Sequence, residues 1–238
     1  MRTTLLALIA LAGCDAAAEA PQQAPPVKDL PAKVREIRDR MHVRLAATRR
    51  LERAIAFGSL DGVHGEAGLV AKLDEPDLPP AWRPYLDQIR AAARQIELAQ
   101  DLVTAARTSA LLGRRCAQCH EAAGAKIAFA KEAPPAAGAK LPSHMAGHEW
   151  ATARLWEGLI GPSNERWLEG ARALARAPLA IVAEGDGLPP ELAIGDDVAR
   201  IRLFATRAQA ARTQDERAAL YGDLLATCAR CHGKIRDP

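Results

Sequence analysis

Two five-residue segments 112 positions apart constrain this chain more than anything else in it. They are Cys116-Ala117-Gln118-Cys119-His120 and Cys228-Ala229-Arg230-Cys231-His232, each reading C-x-x-C-H. On a helix, positions i, i+3 and i+4 share one face, so each segment brings two thiols and an imidazole to the same side of a rod. The rest of the 238 residues agrees with a helical setting. Alanine fills about a fifth of the chain, aromatics only 4%, and β-branched residues are scarce. Lys and Arg number 32 against 29 Asp and Glu, with no basic run, so composition gives no support for nucleic-acid binding. No apolar stretch reaches 18 residues, which excludes an ordinary transmembrane helix.

C-x-x-C-H is the attachment signature of c-type haem: Cys116 and Cys119, and again Cys228 and Cys231, bond the macrocycle, while His120 and His232 ligate iron from below. The expected cofactors are therefore two covalently attached haem c groups. A disulfide within each pair is the first rival, but it leaves the histidine after both second cysteines without a reason. A zinc site needs four ligands and each motif offers three, so zinc would borrow His42, His64, His144 or His148. A thioredoxin-like C-x-x-C wants a βαβ setting, and no such strands are visible.

The chain also repeats itself. Leu51-Glu52-Arg53-Ala54-Ile55 aligns with Leu155-Trp156-Glu157-Gly158-Leu159 at an offset of 104, with Ser59 against Ser163, Ala67 against Ala171 and Val70 against Leu174. Turn signals divide each half into four helices, at about 32–57, 60–73, 81–98 and 101–120, then at about 143–160, 163–183, 196–211 and 213–235. Thr213-Gln214-Asp215-Glu216 reads as a capped helix start. The expected fold is all-α, as two tandem four-helix bundles: residues 32–120 and 143–238, joined by a linker at 121–142.

The amino terminus reads as an export signal over residues 1–13, with Met1-Arg2 before a short apolar run. Its ending, Leu11-Ala12-Gly13-Cys14, resembles the lipobox of bacterial lipoproteins, which implies that Cys14 is acylated and anchors the mature chain to a membrane. Residues 14–31, rich in Ala, Pro and Gln, read as a tether. The expected location is the periplasmic side of a bacterial membrane.

Four helices with C-x-x-C-H near the end of the last resemble the class II cytochromes, the cytochrome c-prime group, in tandem dihaem form. Arg236, four residues beyond His232, matches the C-H-x-x-x-[RK] ending of that group, whereas the first motif departs from it with Gly124. In that group the first helix crosses the open haem face, and members with methionine there are low-spin. Met41 and Met145, the two methionines outside the signal, are also 104 apart. They are the expected distal iron ligands, and His148, three residues after Met145 on the same face, is the alternative to it; the matching position in the first half is Arg44. His42 and His144 face away from the methionines and are expected to be exposed, and His64 to be solvated. Trp82, Tyr85, Trp150, Trp156 and Trp167 are expected to pack around haem or between helices. Arg114, Arg115 and Arg230 border the motifs and are candidates to pair with haem propionates.

The function implied is single-electron transfer between unidentified redox partner proteins at a membrane, with no acid–base or nucleophile motif beside the haem sites. Two alternatives remain open: a pentacoordinate haem protein that binds or senses gases such as nitric oxide, and a dihaem peroxidase.

Overall fold

A computed structural model describes residues 32–236 apart from 77, 137, 139, 140 and 177–193. The expected signal and tether at 1–31, with Cys14, lie outside the described residues, as do the end of the expected helix 163–183 and the Arg236 side chain. The described elements are helices: α1 (Ala32–Ala56), α2 (Leu60–Lys72), α3 (Arg83–Glu97), α4 (Leu102–Ala122), α5 (Leu141–Ile160), α6 (Asn164–Arg176), α7 (Gly195–Ala210) and α8 (Gln214–Arg236). A 3-10 turn at Pro80–Trp82 leads into α3. Among the described residues there is no strand, so the protein is all-α.

The helix starts follow from local chemistry. Ser59 accepts a hydrogen bond from the Gly62 N–H at 3.2 Å, and Ser163, its counterpart 104 residues on, accepts from the Arg166 N–H at 3.3 Å. Asp101 caps α4 by accepting from the Thr104 N–H at 2.8 Å. At α8 the box closes in both directions: the Glu216 N–H donates to Thr213 Oγ1 (3.1 Å), and the Thr213 N–H donates to Glu216 Oε2 (3.0 Å). The helix ends are equally local. Gly58 (φ 77°) and Gly124 (φ 61°) take the left-handed conformation that closes α1 and α4 in Schellman turns. At Gly124 this accounts for the departure at the first motif, since a basic side chain there would be strained, whereas α8 runs on past its own motif.

Positions 104 apart share their burial. Leu51 and Leu155, Ile55 and Leu159, Val63 and Trp167, and Ala67 and Ala171 are all fully buried. The helices built on them enclose one continuous hydrophobic core rather than two separate ones: it runs from Ala47 and Leu51 through Leu112 and Trp156 to Leu225 and Ala229. At its centre α4 packs along α8, where Gly222 lets α8 approach the Arg107 backbone and the Ala110 side chain. α5 packs as closely on α6, with Gly158 against Trp167 and Gly170 against Ala151 and Leu155. α1 and α5 are linked by the ion pairs Arg49–Glu157 and Arg53–Glu149. Trp156 and Trp167 are fully buried; Trp82, Tyr85 and Trp150 are only half-buried. Among the described residues no helix is long and apolar enough to cross a membrane.

Candidate functional site

Both C-x-x-C-H segments lie in the last turns of their helices, with the thiols of each pair free. Cys116 is buried, Cys119, Cys228 and Cys231 half-buried. Burial pushes the thiols of Cys116 and Cys228 up to about 12, and raises those of Cys119 and Cys231 as well. Such burial disfavours the thiolate in the chain by itself. Among the described residues no group of three or more His, Cys, Asp or Glu side chains is gathered to hold a metal ion. An iron that brings four nitrogens of its own macrocycle needs no such cage, only one or two axial side chains.

The two histidines share one geometry. His120 donates from Nδ1 to the carbonyl of Ile160 at 2.7 Å, and His232 donates from Nδ1 to the carbonyl of Ala56, also at 2.7 Å. A carbonyl can only accept, so Nδ1 carries the proton and a neutral ring keeps its lone pair on Nε2. This is how a metal-ligating histidine is held elsewhere, with one nitrogen tied to a main-chain oxygen and the other turned outward. Burial, with the Arg44 cation adding to it, holds the His120 imidazole below its usual range despite the bond to Ile160. That favours the neutral ring a metal requires.

The surroundings of the two motifs diverge. Beside the first stands Arg44, buried, its charge opposing the rise in the thiols of Cys116 and Cys119. Glu75, itself buried, fixes Arg44 at 3.2 Å and Arg40 at 2.6 Å. Met41, half-buried, lies against Arg44, with Nη1 3.9 Å from its sulfur. Beside the second motif stands Asp197, buried at the start of α7 and bound by Arg230 (2.7 Å) and Lys234 (3.0 Å). Its charge raises the thiols of Cys228 and Cys231 further. Met145 is half-buried and packs against the core, and His148 is half-buried one turn further along α5.

Between the motifs the interior is polar in two places. Glu52 is buried and accepts from the Tyr221 hydroxyl at 2.8 Å, while Tyr221 tilts against Trp156 with ring centroids 5.6 Å apart. Glu157 is buried among Arg154 (2.8 Å), Arg49 and Arg166. Burial raises its carboxyl and the three cations oppose the rise.

Two sequence expectations are corrected here, the solvation of His64 and the exposure of His144. His64 is half-buried in the second turn of α2, where Nε2 meets the Ala99 carbonyl at 2.8 Å. His144 is half-buried, with Nε2 out of solvent and lacking a hydrogen-bond partner; His42 is exposed. Arg114, Arg115 and Arg230, the propionate candidates, bond Asp215 (2.8 Å), Gln118 (2.9 Å) and Asp197 (2.7 Å) in the protein itself. The roles of Arg44, Glu75, Asp197 and Glu52 escaped the sequence reading, because each acts on a motif distant in the chain. One signal was available: Ala56 and Ile160, which bind the two histidines, are themselves 104 residues apart.

No protein-family model, curated protein or solved structure matches this chain.

Proposed function

We propose that the protein is a dihaem c-type cytochrome, exported and lipid-anchored through Cys14, that carries single electrons between redox partners on the periplasmic side of a membrane. One haem c is bonded to Cys116 and Cys119 with His120 as its iron ligand, the other to Cys228 and Cys231 with His232. The observation that carries this reading is the pair of Nδ1–carbonyl bonds, which present Nε2 of both histidines for ligation beside free thiols on the same helix. Met41 and Met145 are the proposed distal ligands, with His148 as the alternative to Met145. In this reading each half is a four-helix bundle of the class II kind, and the two are fused through a shared core.

When bound, haem iron supplies a reversible one-electron couple; the chain sets its potential through ligands, burial and nearby charge. The His120 and His232 imidazoles would hold the iron, and Cys116 with Cys119 and Cys228 with Cys231 would bond the macrocycle. Arg44 beside the first motif is held with Arg40 by Glu75, and Asp197 beside the second by Arg230 and Lys234, so each cluster would act on the potential of its own haem. In an optical redox titration of the purified holoprotein, the Arg44→Gln variant should therefore lower one couple only. Neither haem should bind carbon monoxide rapidly in the native protein; fast binding at both would overturn the carrier reading in favour of gas binding.

A further inference from the structure

The partner of each motif histidine comes from the opposite half of the chain. α1 closes with the Gly58 N–H on the Ile55 carbonyl (3.0 Å) and the Ser59 N–H on the Ala54 carbonyl (2.9 Å). Those bonds leave the Ala56 carbonyl to His232. α5 closes with the Ser163 N–H on the Gly158 carbonyl (3.1 Å), Pro162 has no N–H to offer, and the Ile160 carbonyl goes to His120. The carbonyls of a last helical turn lack partners within the helix and carry about half a negative charge between them. Each imidazole thus donates into the negative end of a helix 104 residues away in register from the other's.

On that shared main-chain frame the two halves use different side chains. Phe57, the residue after Ala56, stacks on the His232 ring with centroids 5.1 Å apart and planes at 26°. Its counterpart, Gly161, has no side chain. There the Phe129 ring, from the segment between α4 and α5, stands where one would begin, with Cε2 2.5 Å from an ideal Cβ.

We propose that Phe57 with the Ala56 carbonyl is the positioning element for His232, while the Ile160 carbonyl alone serves His120, so that each imidazole is aimed from outside its own half. α1 then serves both sites, facing the first motif through Arg44 and holding the second through its last carbonyl. The proposal takes its purpose from the haem reading, but the test separates the two.

The full exported chain, labelled with 15N at histidine, is compared by NMR with Phe57→Ala, Phe57→Tyr and Phe129→Ala, while intact mass reports attached haem. In the parent both rings carry their proton on Nδ1. Phe57→Ala should speed solvent exchange of the His232 Nδ1 proton about tenfold or more, the size of one lost net hydrogen bond, and leave His120 unchanged. Phe57→Tyr restores slow exchange, and Phe129→Ala, the control in the other half, leaves His232 exchange unchanged. Phe57 is 57% exposed, so its removal leaves the core intact. A proton on Nε2 of either ring, unchanged His232 exchange in Phe57→Ala, or equal acceleration at both rings would overturn the proposal. A mass lacking haem would overturn the haem reading alone, since the exchange result judges the positioning claim in either case.

Discussion

Arg44, clamped by Glu75, stands beside Cys116 and Cys119, whereas Asp197, clamped by Arg230 and Lys234, stands beside Cys228 and Cys231. Both neighbourhoods keep the same backbone device, a histidine Nδ1–H on a helix-end carbonyl at 2.7 Å. That main-chain bond is the same in both halves. The charges around it differ, and a buried charge of either sign is stable there provided an opposite charge accompanies it. Duplicated geometry with diverged electrostatics is how one scaffold comes to hold two unlike sites.

The sharpest way to break this comparison is to remove each clamp. Glu75→Ala leaves Arg44, 7% exposed, as an unpaired buried cation, and should cost about 3–5 kcal/mol in guanidinium unfolding. Asp197→Ala should cost less, about 1–2 kcal/mol, because the Arg230 and Lys234 side chains are 39% and 37% exposed and can turn to water. Equal losses would show that the two clamps are not the unlike devices described here.

A second contrast is at the repeat position that carries Glu52 in one half and Trp156 in the other. Burial raises the Glu52 carboxyl well above its ordinary value of 4.5, with the Tyr221 hydrogen bond and Arg49 opposing it. The folded chain therefore holds a proton that the unfolded chain releases. The resulting stability is complete below pH 4.5 and drains away as pH rises toward the folded pKa, at roughly 1.4 kcal/mol per pH unit. Glu52→Gln keeps an acceptor for Tyr221 and should abolish that slope. Denaturation series at several pH values above 4.5 should show the variant gaining on the parent; parallel curves would contradict the assignment.

The smallest effect is expected where α4 and α8 meet at the surface. Arg107 and Asp223 pair at 3.3 Å but are each about two-thirds exposed, so Arg107→Ala should shift stability by under about 1 kcal/mol. The same guanidinium unfolding sharpens the contrast with Glu75 by showing what an ion pair contributes when water screens it.

The helices were legible because their signals are local. The Thr213 box and the Gly58 stop are read within a few residues, and alanine-rich periodic segments leave little choice of structure. The C-x-x-C-H motifs were legible for the same reason. What escaped the sequence lies between elements. That His232 meets Ala56, 176 positions away, depends on α1 packing along α8, and no spacing within either helix encodes it. Glu75 is an unremarkable acid in an irregular segment until α1 brings two arginines to it. His64 lies in the expected helix 60–73, but its bond to the Ala99 carbonyl, 35 positions away, has no signal within that helix.

The central claim is that both motifs fasten a haem through paired thioether bonds. Intact mass of the mature chain purified from an exporting host, measured under denaturing conditions, tests it most directly. The account requires a polypeptide heavier by two haem groups, falling by one in Cys116→Ala/Cys119→Ala and by one in Cys228→Ala/Cys231→Ala. A parent chain at the bare polypeptide mass, with all four thiols open to alkylation, would contradict it.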